Sequence, residues 1–279
     1  MKKIIALLLV AVFCFACLAA CGNAEDTGTS ESQAADTGTS ESQAADNSEA
    51  EVTGKLAEVK KAGKLVIATS PDFPPFENLE GGEVVGIEID IMNIICEKLG
   101  VELVIEQMNF DAVLPGIQAK KFDVGVSGIT ITPEREKTTL FSLPYYNAAQ
   151  VIVVKEGSEI KGKDDLEGKT VSVQTGTTAE SGCKEMGLTC QAFEANADAK
   201  AALTTDKVDA WVVDNLTAIE MLEEGDGLVI LEGEVTTEPY AFAFAKDSET
   251  LVTEINKIIV ELSKNGEIKK IFNKYGIEP

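Results

Sequence analysis

Apolar and polar positions after residue 50 follow two patterns, short apolar runs and stretches with helical spacing. The apolar runs have the length and composition of buried strands: Leu65–Thr69, Val101–Glu106, Asp123–Ser127, Gln150–Val154, Thr170–Gln174, Val208–Val213 and Ala241–Ala245. The stretches with helical spacing are Glu88–Leu99, Asp111–Lys120, Thr177–Gly187, Ala197–Thr205, Asn215–Glu223, Ser248–Ser263 and Glu267–Tyr275. Because strands and helices alternate, the pattern predicts an α/β fold with mainly parallel sheets.

The first fifty residues have a different pattern. Lys2 and Lys3 precede the apolar run Ile4–Ala20, which is the layout of a secretory signal. The run ends in Leu-Ala-Ala directly before Cys21, an arrangement similar to a lipobox. Residues 1–20 are therefore predicted to be a signal peptide, with cleavage and lipid attachment at Cys21. A membrane-spanning helix is the weaker alternative, because about 17 apolar residues is close to the shortest possible span.

Residues 21–50 are predicted to form a disordered tether that begins at the lipidated cysteine. Asp26–Ala35 reads DTGTSESQAA, and Asp36–Ala45 repeats it without a change. This composition offers no apolar surface to bury, and its negative charge favours an extended chain. The protein is therefore expected outside the cytoplasm, held at the cell membrane through its lipid anchor alone.

Composition removes several functional classes. The chain contains no histidine, which excludes histidine triads and histidine zinc sites. Its formal charge of -23 becomes -25 without the two signal lysines, and so acidic a surface argues against nucleic acid as a partner. Neither a metal site nor a cofactor is predicted.

Three of the six cysteines remain once the signal and Cys21 are set aside. Cys96 falls on the apolar face of a predicted helix and is interpreted as a core residue. Cys183 and Cys190, with Gly187 between them, could close a small disulfide loop in an oxidising exterior. An anaerobic source would leave all three as thiols.

The strongest functional candidate lies in the stretch VSGITITPEREKTTLFSLPYY, residues 126–146. Arg135 has a planar guanidinium that can bind a carboxylate through two hydrogen bonds and stays charged at any working pH. Small and hydroxylated residues precede it, so a small ligand could approach the backbone there. Pro133, with Thr132 as N-cap, suits the start of a short helix. The alternative is that Arg135 only pairs with neighbouring acids on a solvated helix.

Four motifs occur in the order ATSPDFPPFE, ITPER with FSLPYY, QTGTTAE and DAWVVDN. Together they resemble the extracellular solute-binding proteins of polar amino acid ABC transporters, family 3 type, and the resemblance covers residues 55–279. It implies that the protein binds an amino acid outside the cell and delivers it to a permease pair energised by an ATPase. The binding protein itself is expected to be a monomer.

The resemblance also implies the type II periplasmic-binding-protein fold, in which two interleaved lobes are joined by a two-strand hinge. One lobe would comprise residues 51–148 and 240–279, and the other residues 149–239. The hinge strands would cross near Asn147–Val151 and Glu238–Phe242. The ligand would bind between the lobes at the carboxyl ends of strands, and hinge motion would bury it.

Within that fold, the resemblance assigns the two charged ends of the ligand to different lobes. Arg135 and Thr130 would bind the carboxylate together with Thr177 and Thr178, whose backbone N–H groups lie at a predicted helix start. The ammonium would be bound by three further groups, which are Asp214, the Gly128 carbonyl and the Thr130 hydroxyl. An aspartate before a helix is usually an N-cap, and Asp214 could have both roles.

The ligand side chain would be sandwiched by Phe73 and Phe110, because flat rings suit aliphatic chains, amides and cations. Ser70 stands where many relatives carry an acid, and Asp72 or Glu77 could replace that acid. Glutamine-like and arginine- or lysine-like ligands are therefore about equally favoured.

Two other functions are compatible with the same fold. An enzyme similar to cyclohexadienyl or arogenate dehydratase would need a general acid in the cleft, for which Glu180 and Glu238 are candidates. A lipid-anchored adhesin or sensor would instead use an exposed face. The complete set of groups for a zwitterion favours binding without catalysis.

Overall fold

The computed structural model describes residues 53–278, which form strands and helices in alternation. The predicted signal peptide, the predicted lipidation site Cys21 and the repeated tether lie outside these residues. The helices are α1 Gly54–Ala62, α2 Ile87–Leu99, α3 Phe110–Gln118, α4 Pro133–Glu136, α5 Thr178–Glu185, α6 Asn196–Thr204, α7 Asn215–Met221, α8 Glu249–Lys264 and α9 Glu267–Lys274. The strands are β1 Lys64–Thr69, β2 Asp72–Phe73, β3 Glu77–Glu80, β4 Glu83–Val85, β5 Glu102–Gln107, β6 Val124–Gly125, β7 Leu140–Phe141, β8 Tyr146–Lys155, β9 Thr170–Gln174, β10 Thr189–Phe193, β11 Ala210–Asp214, β12 Leu228–Ile230, β13 Thr236–Tyr240 and β14 Ala243–Phe244.

The first lobe contains a sheet with the strand order β5-β1-β6-β14-β7 and a small antiparallel sheet β2-β3-β4. Strand β1 pairs in parallel with β5 and β6, whereas β14 runs antiparallel to β6 and β7. Apolar residues of α2, α8 and α9 pack with β1 in one core, which includes Ile67, Ile91, Ile255 and Phe272.

The second lobe contains a sheet with the strand order β10-β9-β11-β8-β12, and β13 also pairs with β8. Alternate residues of β8 enter two different cores. Val151 and Val153 belong to one core, and Ile152 and Val154 belong to the other. Both faces of this sheet are therefore covered, which explains why β8 is a continuous apolar run instead of an alternating one.

Strands β8 and β13 connect the two lobes. They pair antiparallel, from Tyr146 opposite Tyr240 to Gln150 opposite Thr236. Both tyrosines belong to the core of the first lobe, whereas β8 continues into the cores of the second. We propose that the lobes divide at residues 148–149 and 239–240, where these strands pass from one core to the other.

The α/β class with two interleaved lobes and a two-strand hinge is confirmed, and both main sheets are mixed. Parallel pairs occur where a helix connects the strands, as in β1-α2-β5 and β9-α5-β10, because parallel neighbours need such a crossover. The strands that pair with β8 and with β14 run antiparallel to them. None of the helices in residues 53–278 is both long and apolar enough to cross a membrane.

Candidate ligand-binding site

A cavity that is partly open to solvent lies between the two lobes, with about 270 Å³ of empty space that includes its open mouth. Its lining combines a cation, a carboxylate, two phenyl rings and several hydroxyl and amide groups. The first lobe contributes Phe73, Phe110, Ser127, Gly128, Thr130 and Arg135, and the second contributes Gln150, Gln174, Thr177, Thr178 and Asp214. Gln174 and Asp214 are the last residues of their strands, β9 and β11, which agrees with the preference of ligands for the carboxyl ends of α/β sheets.

The backbone around Arg135 has the geometry that the sequence predicts. Thr132 is the N-cap of α4, and its Oγ1 accepts a hydrogen bond from the Arg135 N–H at 3.2 Å. Pro133 occupies the first position of the helix, where a missing N–H has no consequence. Arg135 is therefore held on a short capped turn at the edge of the cavity.

The Arg135 guanidinium contacts both lobes. It donates to the Thr130 carbonyl at 2.9 Å and to the Gly176 carbonyl at 3.0 Å, and it lies 5.7 Å from the centre of the Phe110 ring. A guanidinium has five N–H donors, so several remain for an anionic ligand. Burial lowers the pKa of Arg135, while the negative charge of Glu238 acts in the opposite direction. Arginine nevertheless remains a cation.

The start of α5 offers two further donors beside Arg135. Thr177 is the N-cap, and its Oγ1 accepts from the Glu180 N–H at 3.2 Å. The backbone N–H groups of Thr177 and Thr178 have no acceptor within residues 53–278. Free N–H groups at a helix start favour an anion, so this end of the cavity can bind a carboxylate.

Asp214 provides the opposite charge. It is 7% exposed, and its carboxylate accepts hydrogen bonds from Gln150 Nε2 at 3.0 Å and from the Tyr240 hydroxyl. Burial raises the pKa of Asp214 to about 7, and the negative charge of Glu238 acts in the same direction. Asp214 occupies the N-cap position of α7 without capping it through its side chain, so the additional N-cap role is not adopted.

Gly128 lies in a turn that only glycine can occupy here. Its φ is 52°, and a Cβ would lie 2.4 Å from Cε1 of Phe73. Its N–H donates to Glu88 Oε2 at 3.0 Å, and the neighbouring Ser127 hydroxyl donates to Glu77 Oε1 at 2.7 Å. Both glutamates are fully buried behind the turn, and burial followed by the charge of Glu88 raises the pKa of Glu77 well above its usual value. Glu77 does not line the cavity, so the suggestion that it could contact the ligand side chain is corrected.

The two phenylalanines proposed for the ligand side chain both line the cavity. Phe73 packs against Phe76, with ring centres 5.5 Å apart, and Phe76 is fully buried, as expected for a core residue. The rings of Phe73 and Phe110 therefore provide flat apolar surface on the side of the first lobe.

Ser70 and Asp72 lie beside the cavity and not in its lining. The Ser70 hydroxyl donates to Asp72 Oδ1 at 2.9 Å. Asp72 also accepts from Gln174 Nε2 at 3.1 Å and from the Asn196 N–H at 2.9 Å, both in the second lobe. In this arrangement Asp72 joins the two lobes.

Gln150, Gln174 and Glu238 were not predicted to contact the ligand or its binding groups. Gln150 is the single polar residue in the run AAQVIVV, and Gln174 ends the strand TVSVQ, so a polar residue in an apolar strand was the available signal. Glu238 carried no such signal beyond its nomination as a possible acid.

Cys183 and Cys190 are free thiols in this structure. They are close enough to interact, and burial raises the pKa of the Cys183 thiol to about 12. A disulfide between them stays a prediction. Cys96 is 3% exposed in the core of the first lobe, which confirms its interpretation as a core residue.

Comparison with known proteins identifies the family. Residues 65–278 match the bacterial extracellular solute-binding proteins, family 3, and the chain belongs to this family. It is 34% identical to the arginine-binding extracellular protein ArtP of Bacillus subtilis, over 76% of this chain and 86% of ArtP. It is 30% identical to the glutamine-binding protein GlnH of the same organism, over 99% of this chain and 97% of GlnH. The arginine-bound form of truncated ArgBP from T. maritima is 40% identical, with a TM-score of 0.71, over 74% of this chain and 99% of that one.

Replacement of Arg135 tests the carboxylate site. We expect Arg135→Ala to weaken amino-acid binding at least a hundredfold, because a ligand carboxylate buried without its cation costs about 3 to 5 kcal/mol. Calorimetric titration measures the affinity, and thermal unfolding of the ligand-free protein reports on the fold. Lys137→Ala is the control, since Lys137 is an exposed cation two residues away. Unchanged affinity in Arg135→Ala would exclude the carboxylate role.

The raised pKa of Asp214 predicts a pH dependence of affinity. An ammonium binds the ionised carboxylate, so below pH 7 binding must first remove a proton from Asp214. Affinity should therefore fall about tenfold for each pH unit below 7 and level off above it. Titrations between pH 5 and pH 8 measure the slope. In Asp214→Asn the slope should disappear, and α-amino acids should lose far more affinity than their des-amino analogues.

Replacement of Asp72 distinguishes a contact between lobes from a contact with the ligand. We expect Asp72→Ala to weaken all bound amino acids by a similar factor of about tenfold, since hydrogen bonds between the lobes are lost. Affinities for L-arginine and L-glutamine are compared, with Asp90→Ala as a control because Asp90 pairs with Lys274 elsewhere in the first lobe. A loss confined to L-arginine would instead support the role predicted from the sequence, a contact with the ligand side chain.

Proposed function

We propose that this protein captures a free α-amino acid outside the cell and delivers it to an ABC importer made of permease and ATPase subunits. Membership of the solute-binding family supports the transport role. One observation carries the choice of an amino acid: Arg135 of the first lobe and Asp214 of the second line the same cavity. A cation and a carboxylate in this arrangement match the two charged ends of a zwitterion.

The ligand carboxylate binds Arg135 together with the backbone N–H groups of Thr177 and Thr178. The ligand ammonium binds Asp214, with oxygen atoms of Gly128 and Thr130 as further acceptors. Lobe closure removes both ends from water, and a charge left unpaired there costs about 3 to 5 kcal/mol. A compound that lacks either end therefore binds much more weakly.

Arginine is the ligand we favour. Asp214 and Glu238, 7% and 3% exposed, place two buried carboxylates close to the single cation Arg135. A ligand with an additional positive charge compensates this excess, and the flat rings of Phe73 and Phe110 suit a guanidinium. The names of ArtP and ArgBP point to the same ligand. Glutamine is the second candidate, because GlnH matches almost the whole chain.

We infer that the protein binds its ligand without catalysing a reaction. Both carboxylate oxygens of Glu238 accept threonine hydroxyls, and Glu180 accepts the Gly176 N–H and pairs with Lys184. Neither acid is arranged to protonate a substrate, which argues against a dehydratase. We further propose that lipid on Cys21 holds a monomeric binding protein at the outer side of the membrane.

A ligand screen tests the function. The mature protein is heated with each of the twenty amino acids and with ornithine, citrulline, cystine and prephenate. A ligand at 100 times its dissociation constant adds about 2.7 kcal/mol to the free energy of unfolding, and we expect L-arginine to give the largest shift. The Arg135→Ala variant should show none. Absence of a shift with every amino acid contradicts the proposal, and conversion of prephenate would favour the dehydratase.

A further inference from the structure

Glu238 is a buried carboxylate surrounded by hydroxyl groups. It lies in the hinge strand β13 and is 3% exposed. Its Oε2 accepts from the Thr130 and Thr178 hydroxyls, each at 2.7 Å, and its Oε1 accepts from the Thr236 hydroxyl at 2.8 Å. Thr130 and Thr178 line the ligand cavity, and they come from different lobes.

These contacts fix the direction of the hydroxyl hydrogen bonds. A threonine hydroxyl has one proton, and a carboxylate can only accept. Within residues 53–278 no lysine or arginine forms an ion pair with Glu238, so these hydroxyl protons are its direct hydrogen-bond donors. Once their protons are committed to Glu238, Thr130 and Thr178 can offer a ligand only lone pairs.

The surroundings of Thr178 also identify its hydroxyl oxygen as a hydrogen-bond acceptor. Gln150 Nε2 donates to Asp214 Oδ2 at 3.0 Å and makes a long contact of 3.4 Å with Thr178 Oγ1, which acts there as an acceptor. The hydroxyl oxygen of Thr178 and the carboxylate of Asp214 therefore both lie next to the Gln150 amide nitrogen. This is the part of the cavity where the ligand ammonium is expected.

We propose that Glu238 is a positioning residue that determines specificity: by taking the hydroxyl protons of Thr130 and Thr178, it makes both oxygens acceptors for the ligand ammonium. The inference rests on the proposed function. In this arrangement the ligand carboxylate binds Arg135 and the backbone N–H groups at the start of α5. The Thr130 and Thr178 hydroxyls take no part in binding the carboxylate. Because the two threonines belong to different lobes, the acceptor set is complete only when the lobes approach each other.

Three related ligands separate the two ends of the site. L-arginine has both charged ends, agmatine lacks the carboxylate, and 5-guanidinopentanoate lacks the ammonium. Calorimetric titration of the mature protein measures the affinity of all three for wild type, Glu238→Leu and Glu234→Gln. Glu234 is an exposed acid of the same segment. Glu234→Gln removes one negative charge, as the Glu238 variant does, and therefore controls for net charge.

Glu238→Leu removes the acceptor of both hydroxyl protons, so these protons can turn toward the ligand. Glu238→Gln would not do this, because its amide oxygen can take the place of Oε2 and accept from both threonines. We expect L-arginine and agmatine to lose about tenfold or more in affinity, because a buried donor then faces the ammonium. The affinity for 5-guanidinopentanoate should change little. Equal losses for L-arginine and 5-guanidinopentanoate would mean that Glu238 has a structural role only, which overturns the inference and leaves the proposed function intact.

Variants of Thr130 provide a second test if Glu238→Leu does not fold. Thr130→Ser retains the hydroxyl and should retain the preference for L-arginine over 5-guanidinopentanoate. Thr130→Val removes the acceptor and should reduce that preference by about tenfold. A Thr130→Val variant that spares agmatine and weakens 5-guanidinopentanoate contradicts the inference, since the hydroxyl would then serve the carboxylate. Failure of wild type to bind any amino acid of the ligand screen would instead overturn the proposed function, and the inference with it.

Discussion

Burial of unlike charges from two lobes is the constraint on which the rest of the structure depends. Asp214 is buried and Arg135 is partly buried, and each is costly there without a partner of opposite charge. Protein groups moderate this cost: backbone carbonyls accept from Arg135, and Gln150 and Tyr240 donate to Asp214. In the proposed complex a zwitterion completes the pairing at both ends, so the energy that makes the empty site unfavourable becomes the source of selectivity.

The two hinge strands connect the lobes and also carry side chains that contact residues of the cavity. In strand β13, Glu238 accepts hydrogen bonds from Thr130 and Thr178, and Tyr240 donates to Asp214. In strand β8, Gln150 also donates to Asp214. Side chains of the two hinge strands are therefore hydrogen-bonded to residues that line the cavity. Asp72 adds a contact between the lobes at the other side of the cavity, through Gln174 and Asn196. Two sets of hydrogen bonds, one at each side of the cavity, therefore join the two lobes.

Sequence patterns predicted the regular elements where one physical signal dominated. The strand Thr170–Gln174 agrees with β9, and the helix Glu88–Leu99 begins one residue after α2 does, because apolar periodicity is strong in both. Apolar periodicity did not indicate strand β13, because it contains Pro239, which cannot donate to a ladder and argues against a strand. Only the family resemblance implied a hinge strand near Glu238–Phe242. The β3–β4 hairpin was missed because its residues are mostly polar, although Gly81-Gly82 between two short runs is a hairpin signal.

The sequence by itself determined the α/β class through local periodicity, and its motifs implied the two-lobed fold and most of the residues that line the cavity through their family resemblance. Tertiary structure decided what each polar group does. Thr130 and Glu238 are 108 residues apart in the chain, and Asp72 and Asn196 are 124 apart. The direction of a hydrogen bond and the pKa of a buried carboxyl depend on neighbours that only folding brings together. For that reason Glu238 and Asp72 acquired their roles only in the folded chain.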